Sequence, residues 1–389
     1  MHHRLRAEPH HSRINFAARL VGVDLGLGGA MLDRKNCVTS IFSAIVCVLA
    51  LGIPNGIAQV TYVSVGVNPA AATVNPVTNE VLVLNPFDGI LTVVDATDRS
   101  VSRVNVGEQP ATIAMNPVTG YAYIINSWSN TVTAYYGYGQ GKKRATIPVG
   151  DDPLAIAVNP ATNKIYVVNA LSDTVTVIDG ATNATTTVPV GSRPVRVAVN
   201  ANTNRIYVTN VFANTVTVID GVTNLTTEIP AGPNPYSIAV NAVTNEIYVV
   251  NDDIAGSVTV IDGNTNATSL IPLGPQPIVI AVNPVTNTIY VGYDGPGRIA
   301  IIDGASKSAT DLTIAPGLAF YNTPAIDETT NTIYLVGLLS EDLAILDGAT
   351  NHVTFQHVGV NPTSVAVNPL LNEVYVTVDS GGLLAIVHQ

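Results

Sequence analysis

Hydrophobic residues in this chain occur in short runs that alternate with polar turns, and the segment from Val149 to Pro189 shows the pattern most clearly. It contains the four runs LAIAVN, KIYVVN, TVTVID and TTTVPV. Their β-branched and aromatic residues stand at adjacent positions, and none has the spacing of a helix. The segment therefore predicts four consecutive β-strands, named A to D here.

Turn residues separate these runs. Pro160 and Asn163 lie between strands A and B, and the pair Asp179–Gly180 lies between strands C and D. Pro fixes φ, whereas Asn, Asp and Gly accept the tight backbone of a turn. The A–B and C–D connections are thus predicted to be hairpin turns.

The same unit recurs along the chain with a nearly constant period. Glycines that open successive units are separated by steps of 41, 43, 41, 41, 42, 43 and 42 residues. They are Gly66, Gly107, Gly150, Gly191, Gly232, Gly274, Gly317 and Gly359. A fixed period of this length indicates one supersecondary unit used repeatedly.

Both faces of the predicted strands are apolar, so each sheet needs cover on both sides. A radial stack of four-stranded blades meets this need better than a sandwich, and we predict an all-β, eight-bladed β-propeller, with seven blades as the fallback. Strand A carries small residues where the blades crowd the axis. Strand B carries a recurrent tyrosine that is expected to pack between blades: Tyr123, Tyr166, Tyr207, Tyr248, Tyr290, Tyr334 and Tyr375.

The last unit ends without a strand D, and a matching strand precedes the first unit. Gln59 to Val65 reads QVTYVSV and is expected to pair with the segment from Leu383 to Val387. This pairing would close the ring and remove two exposed sheet edges.

The first 58 residues have the composition of an extension with a secretory signal. An apolar run from Cys37 to Leu51 follows Arg34 and Lys35, and small residues follow it. Met31 is a possible true start. We therefore expect residues 1–58 to be removed, with both cysteines, and residues 59–389 to form one propeller domain that is secreted, periplasmic or on the cell surface, without a membrane span.

The predicted mature chain is strongly acidic. From Gln59 onward it has 11 basic and 25 acidic residues, and the whole chain has a formal net charge of -11. Such a surface repels phosphate backbones, so a nucleic acid partner is not expected. Cations or neutral ligands are more compatible with this acidic surface than nucleic acid is.

No catalytic constellation stands out in the sequence. The mature chain has three histidines and no cysteine, and we find no nucleophile elbow or phosphate loop. We assign structural roles in turns and at strand ends to two recurrent sets, the aspartates Asp95, Asp179, Asp220, Asp262, Asp303 and Asp347 and the asparagines Asn85, Asn126, Asn169, Asn210 and Asn251.

Departures from the repeat concentrate in the D–A and B–C loops, which share one face around the channel mouth. The candidate ligand-binding residues on this face are Trp128, Asp151, Asp152, Arg193, Phe212, Asp252, Asp253, Tyr293, Asp294 and Arg298. The aspartates suit either a calcium ion or a solvated acidic rim. The two aromatic residues at 128 and 212 suit a sugar or peptide, or ordinary loop packing. No resident cofactor is expected.

The sequence YVTN at Tyr207 to Asn210, with YVVN at two other blades and flanking NPxTN and TVTVIDG elements, resembles the YVTN-family β-propeller repeat. The resemblance covers residues 59 to 389 and implies a secreted, surface-layer-like protein. We expect a monomeric, non-catalytic binding or cell-surface scaffold with an envelope protein or glycan as its partner. The alternative is a lactonase-like or lyase-like propeller enzyme acting on a sugar lactone or related small molecule.

Overall fold

The computed structural model describes residues 59–137, 143–295, 297–315, 320, 322–337 and 340–389. The predicted extension and signal, with Met31, Cys37 and Cys47, lie outside these residues, as does the repeat glycine Gly317. No helix in the described ranges is long and apolar enough to cross a membrane.

The first four blades use consecutive strands of the chain. Blade 1 contains β2 (Ala71–Asn75), β3 (Glu80–Asn85), β4 (Ile90–Asp95) and β5 (Val101–Asn105). Blade 2 contains β6 (Pro110–Met115), β7 (Ala122–Asn126), β8 (Thr131–Tyr136) and β9 (Lys143–Pro148). Blade 3 contains β10 (Pro153–Asn159), β11 (Lys164–Asn169), β12 (Thr174–Asp179) and β13 (Thr185–Pro189). Blade 4 contains β14 (Pro194–Asn200), β15 (Arg205–Asn210), β16 (Thr215–Asp220) and β17 (Thr226–Pro230).

The other four blades continue this order. Blade 5 contains β18 (Pro235–Asn241), β19 (Glu246–Asn251), β20 (Ser257–Asp262) and β21 (Thr268–Pro272). Blade 6 contains β22 (Pro277–Asn283), β23 (Thr288–Tyr293), β24 (Arg298–Asp303) and β25 (Ala309–Thr313). Blade 7 contains β26 (Ala325–Asp327), β27 (Thr332–Val336), β28 (Asp342–Asp347) and β29 (Val353–His357). Blade 8 contains β30 (Pro362–Asn368), β31 (Glu373–Val378), β32 (Leu383–His388) and β1 (Val60–Ser64).

The eight sheets are antiparallel and form a ring in which the A strands of neighbouring blades contact one another all the way round. The predicted eight-bladed β-propeller is therefore confirmed. Because strands alternate in direction, the D–A and B–C loops lie together on one face, called the loop face. The A–B and C–D turns form the opposite turn face.

The ring closes as the sequence predicts. Strand β1 pairs with β32 in a register that joins Val60 to Val387 and Ser64 to Leu383. The first and last strands of the ring thus share one sheet.

Eight apolar clusters fill the spaces between neighbouring blades. In blade 3, Tyr166 and Val168 face Ile206 and Val208 of blade 4, whereas Ile165 packs against blade 2. This two-sided burial explains why strands B and C lack a polar face, whereas the outermost strand D, such as Thr185–Pro189, is mostly exposed. All seven recurrent strand-B tyrosines are buried, which confirms their predicted packing role.

A glycine and an asparagine meet wherever a D–A loop enters the next blade in blades 2 to 5. An added Cβ at Gly150 would lie 2.8 Å from the Asn169 side chain, so the close contact admits no larger residue. Asn169 in turn donates to Thr174 and Thr176 of strand C, at 3.1 and 2.9 Å. The strand-B asparagines are therefore structural, as predicted.

On the turn face, amide side chains connect successive blades. Asn159 of blade 3 donates to Asn204 of blade 4 at 2.8 Å, and Asn200 of blade 4 donates to Asn245 of blade 5 at 2.7 Å. The C–D aspartates also have the predicted turn role, because Asp179 accepts the backbone N–H groups of Ala181 and Thr182. These bonds, that from Thr182 foremost, hold the pKa of Asp179 below its usual value.

Candidate functional site

In the middle of the described loop face, the D–A loops that end at Asp152, Arg193 and Asn234 are hydrogen-bonded to the B–C loops on either side, which restricts their backbone. Arg193 ends one D–A loop at a φ of 55° and donates its N–H to Asp173 Oδ1 of blade 3 at 2.8 Å. Its carbonyl accepts the N–H of Val211 in blade 4 at 3.0 Å. Asp152 has the same conformation and bonds to Asn130 and Ala170.

Two predicted site residues form an ion pair across adjacent loops. Arg193 Nη1 lies 3.3 Å from Asp152 Oδ2, with both side chains partly exposed. Asp151, by contrast, is exposed and accepts a hydrogen bond from Asn130 Nδ2 at 2.9 Å. The structure thus brings Asp152 and Arg193 together and leaves the Asp151 carboxylate at the surface.

Asp252, Asp253 and Asp294 form an acidic cluster on the loops of blades 5 and 6. Burial raises the pKa of Asp252, and the nearby charges of Asp294 and Asp253 raise it further. Asp253 Oδ1 accepts the N–H of Gly256 at 2.5 Å, which uses one of its oxygens in the loop. Within the described ranges, no group of three or more His, Cys, Asp or Glu side chains is arranged to hold a metal ion. Calcium binding stays a prediction.

Tyr293, a candidate ligand-binding residue from the sequence, is buried in the apolar cluster between blades 5 and 6, and only 1% of it is exposed. It ends strand B of blade 6 at the position where blades 1 to 5 have asparagine, and its ring packs with apolar residues of blades 5 and 6. Arg298 stacks on this ring at 4.1 Å from its centroid and pairs with Asp311 Oδ2 of the outermost strand at 2.8 Å. Neither side chain faces the channel mouth.

Trp128 and Phe212 are exposed as predicted, at 76% and 74%. Phe87 and Leu171 stand at the equivalent position of blades 1 and 3, two residues after the strand-B asparagine, and are also exposed. Ile254 extends from the longer loop of blade 5 and is 93% exposed. We call these five residues the apolar arc. The candidate site from sequence omits Phe87, Leu171 and Ile254, although aligning the loops on that asparagine would have found the first two.

Acidic side chains outnumber basic ones on the described part of the loop face. The carboxylates of its loops and adjoining strand ends belong to Asp88, Glu108, Asp151, Asp152, Asp173, Asp252, Asp253, Asp294, Glu341, Asp342 and Asp379. The loop arginine Arg193 is paired with an aspartate, as is Arg298 at the start of strand C. The field over this face therefore favours positively charged partners.

One basic side chain lies among the innermost strands. Arg196 on strand A of blade 4 lies 4.9 Å from the ring centroid of Tyr236 on strand A of blade 5, and its Nη2 lies 3.4 Å from the Tyr236 hydroxyl. This cation–π contact joins the two blades next to the channel.

The described histidines are not gathered at this site. His352 belongs to a C–D turn and His388 ends strand β32, both on the turn face. His357, at the end of outermost strand β29, has its Nδ1 3.3 Å from Asp342 Oδ1. A groove of about 340 Å³ also lies away from the channel, between the outer strands of blades 4 and 5, next to Gly232 and Leu270.

No protein-family model matches the chain, and no curated protein matches it. Solved structures of similar fold include Saccharomyces cerevisiae Sqt1, which is 12% identical with a TM-score of 0.69, where the match covers 84% of this chain and 97% of Sqt1. Hydrazine synthase from Kuenenia stuttgartiensis is 17% identical with a TM-score of 0.59, and the match covers 87% and 99% of the two chains.

A third similar structure is a catalytically inactive virginiamycin B lyase from Staphylococcus aureus with quinupristin. It is 9% identical, has a TM-score of 0.57, and the match covers 85% of this chain and 99% of the lyase. At these identities the likeness concerns the fold, which hosts both catalytic and non-catalytic proteins.

Proposed function

We propose that this protein is an exported binding scaffold, related to YVTN-repeat and surface-layer-like proteins, that holds an envelope protein or glycan on its loop face. The observation that carries the proposal is the apolar arc, in which side chains such as Trp128 and Phe212 are exposed on a backbone bonded on both sides. Exposed apolar side chains grouped on one face are typical of an interaction site. The signal-like composition of residues 1–58 supports export to the periplasm or the cell surface.

Rigid loops favour binding because little conformational freedom is lost when a partner docks. Val211, just before Phe212, donates to the carbonyl of Arg193 at 3.0 Å, and Ser127, just before Trp128, donates to that of Gln109 at 3.0 Å. The exposed side chains therefore project from fixed positions, as interface anchors do.

The test is capture of partners from an envelope extract by the immobilised chain. A loop-face variant carries Phe87→Ser, Trp128→Ser and Phe212→Ser. Its matched control carries Val118→Ser, Val243→Ser and Val285→Ser, which alter exposed valines of the turn face. We expect the loop-face variant to lose about tenfold or more of the captured material and the control to lose little. Equal capture by the wild type and both variants would contradict the proposal.

A lyase-like or lactonase-like activity is the second candidate, supported by the Asp152–Arg193 ion pair on the loop face. Such a pair offers a charged group of each sign to a small polar substrate. Turnover of lactones by the wild type, abolished by Arg193→Gln with an unchanged melting temperature, would favour the enzyme. Capture of a partner without turnover would favour the scaffold.

A further inference from the structure

We propose that the loop face binds a cationic, extended protein segment whose apolar side chains contact the apolar arc blade by blade. This inference rests on the proposed scaffold function and names the chemistry of its partner. It starts from the regular placement of the arc. Phe87, Trp128, Leu171 and Phe212 follow one another at 41, 43 and 41 residues, which are the steps of the repeat, so four successive blades present one apolar side chain each.

The arc occupies one side of the ring only. In blade 5 the equivalent position is Asp253, and the neighbouring Ile254 supplies the apolar side chain; in blade 6 the equivalent position is Gly295, and in blade 8 it is Ser380. Blades 1 to 5 therefore form a curved row of anchors, and the described positions in blades 6 and 8 do not extend it. A row of this kind suits a segment that runs along the blades, each anchor contacting a different part of it.

Exposed valines on the turn face do not indicate a binding surface in the same way. Val118, Val243 and Val285 belong to the repeated NPVT or NAVT turn and reproduce the consensus of the unit. Leu225 and Leu370 are exposed there too, but they lie in different kinds of turn and form no row over successive blades. Residues of the arc vary among Phe, Trp, Leu and Ile and include the single tryptophan of the chain. Variation at one position of a regular repeat is where such proteins hold specificity.

The acidic side chains of the loop face favour a positively charged partner. Exposed carboxylates of Asp88, Glu108, Asp151 and Asp173 lie in the same loops as the arc, and the loop arginine Arg193 is already paired with Asp152. Complementary charge speeds association and excludes wrong partners. Lysine and arginine side chains between apolar anchors would match this surface, whereas anionic lipid would be repelled.

A protein segment also fits better than a glycan. Sugar rings stack on aromatic faces, but Leu171 and Ile254 are aliphatic and as exposed as the aromatic residues. Aliphatic and aromatic anchors together suit apolar peptide side chains.

The experiment measures binding of labelled peptides to the full chain by fluorescence anisotropy. The probe is a peptide of about 12 residues in which Lys alternates with Trp and Leu, a length that spans several anchors when extended. One control peptide replaces Lys by Glu, and another replaces Trp and Leu by Ser. The proteins are the wild type, the loop-face variant, its turn-face control and the charge variant Asp88→Asn/Glu108→Gln.

We expect the Lys/Trp/Leu peptide to bind the wild type and the turn-face control with similar Kd. Its Kd should rise about tenfold or more with the loop-face variant, in line with loss of anchor residues. It should also rise with the charge variant and with added salt, because screening weakens exposed charges. Both control peptides should bind more weakly than the probe.

Three outcomes would overturn the inference. The first is no binding of the probe, the second is equal binding to both face variants, and the third is equal binding of the Lys and Glu peptides. If envelope capture still requires the loop face in any of these cases, the scaffold function stands without a cationic partner.

Discussion

Tyrosines at one repeat position differ in what their hydroxyl groups contact. The ring of each is buried between blades, but the hydroxyl groups of Tyr166 and Tyr290 have no hydrogen-bond partner among the described residues. Tyr375, at the same position of blade 8, donates to Glu373, which also pairs with Arg99 of blade 1. One residue type therefore has a purely apolar role in some blades and a polar role at the ring closure.

This difference predicts opposite effects of one substitution. Tyr166→Phe removes a buried hydroxyl that makes no bond, so the free energy of unfolding should change by less than about 0.5 kcal/mol or rise slightly. Tyr375→Phe removes a hydrogen bond to a carboxylate and should lower it by about 1–3 kcal/mol. Denaturant unfolding followed by circular dichroism measures both. A larger loss for Tyr166→Phe than for Tyr375→Phe would contradict these roles.

At the scale of the element, the loops of blades 5 and 6 place acidic groups against each other. Asp252 is partly buried beside Asp253 and Asp294, and its pKa is raised. A raised carboxylate pKa means that the folded chain holds the proton more tightly than the unfolded chain. Stability contributed by this group therefore falls as pH rises through its folded pKa.

Asp252→Asn should consequently raise the melting temperature at pH 7, because it removes a charge that the fold disfavours. The gain should shrink as pH falls toward 3.8, the ordinary value for aspartate, where the wild-type group is also neutral. Exposed Asp151→Asn serves as the matched control and should change little. A gain that is the same at pH 7 and at low pH would contradict the interpretation.

The sequence predicts strands better than loops. Period and turn residues locate strand B of blade 3 at its observed bounds, Lys164–Asn169, because a strand buried on both faces has a strong local signal. The burial of Tyr293 does not follow from its loop alone, because it depends on packing against blade 5. Its alignment with Asn251 at the end of strand B would have indicated burial. The Arg298–Asp311 pair depends on cross-strand placement that no local pattern encodes.

At the scale of the whole molecule, we expect stability to depend on the closure of the ring, where the first strand of the propeller pairs with the last. Strand β1 completes blade 8, and Arg99 of blade 1 pairs with Glu373 of blade 8, whose side chain is almost fully buried. The first contact completes the sheet of blade 8, and the second joins blade 8 to blade 1. An open ring would expose β32 as a sheet edge and leave one interblade cluster without its cover.

Deleting Gln59 to Ser64 should therefore lower the melting temperature of the entire molecule and broaden its unfolding transition. The control Tyr62→Ser keeps the strand and changes a side chain that is 47% exposed, so its melting temperature should stay near that of the wild type. Differential scanning calorimetry of the full chain compares the two. A deletion variant that melts like the wild type would show that closure does not depend on β1.

Function is less accessible from sequence than fold, because it depends on side chains that the ring brings together from separate units. The loop face could be located from its departures from the repeat. The apolar arc emerges only when the exposed residues of five blades are seen on one surface. Its chemistry is the basis of the proposed scaffold function.

Trp128 offers the most direct test, since it is the single tryptophan of the chain and belongs to the arc. The measurement is its fluorescence emission and acrylamide quenching, with and without a partner captured from the envelope extract, after subtraction of the same mixtures made with Trp128→Phe. If the loop face binds that partner, emission should shift to shorter wavelength and quenching should fall as the exposed indole becomes buried. A stable complex that leaves both unchanged would contradict the proposed role of the loop face.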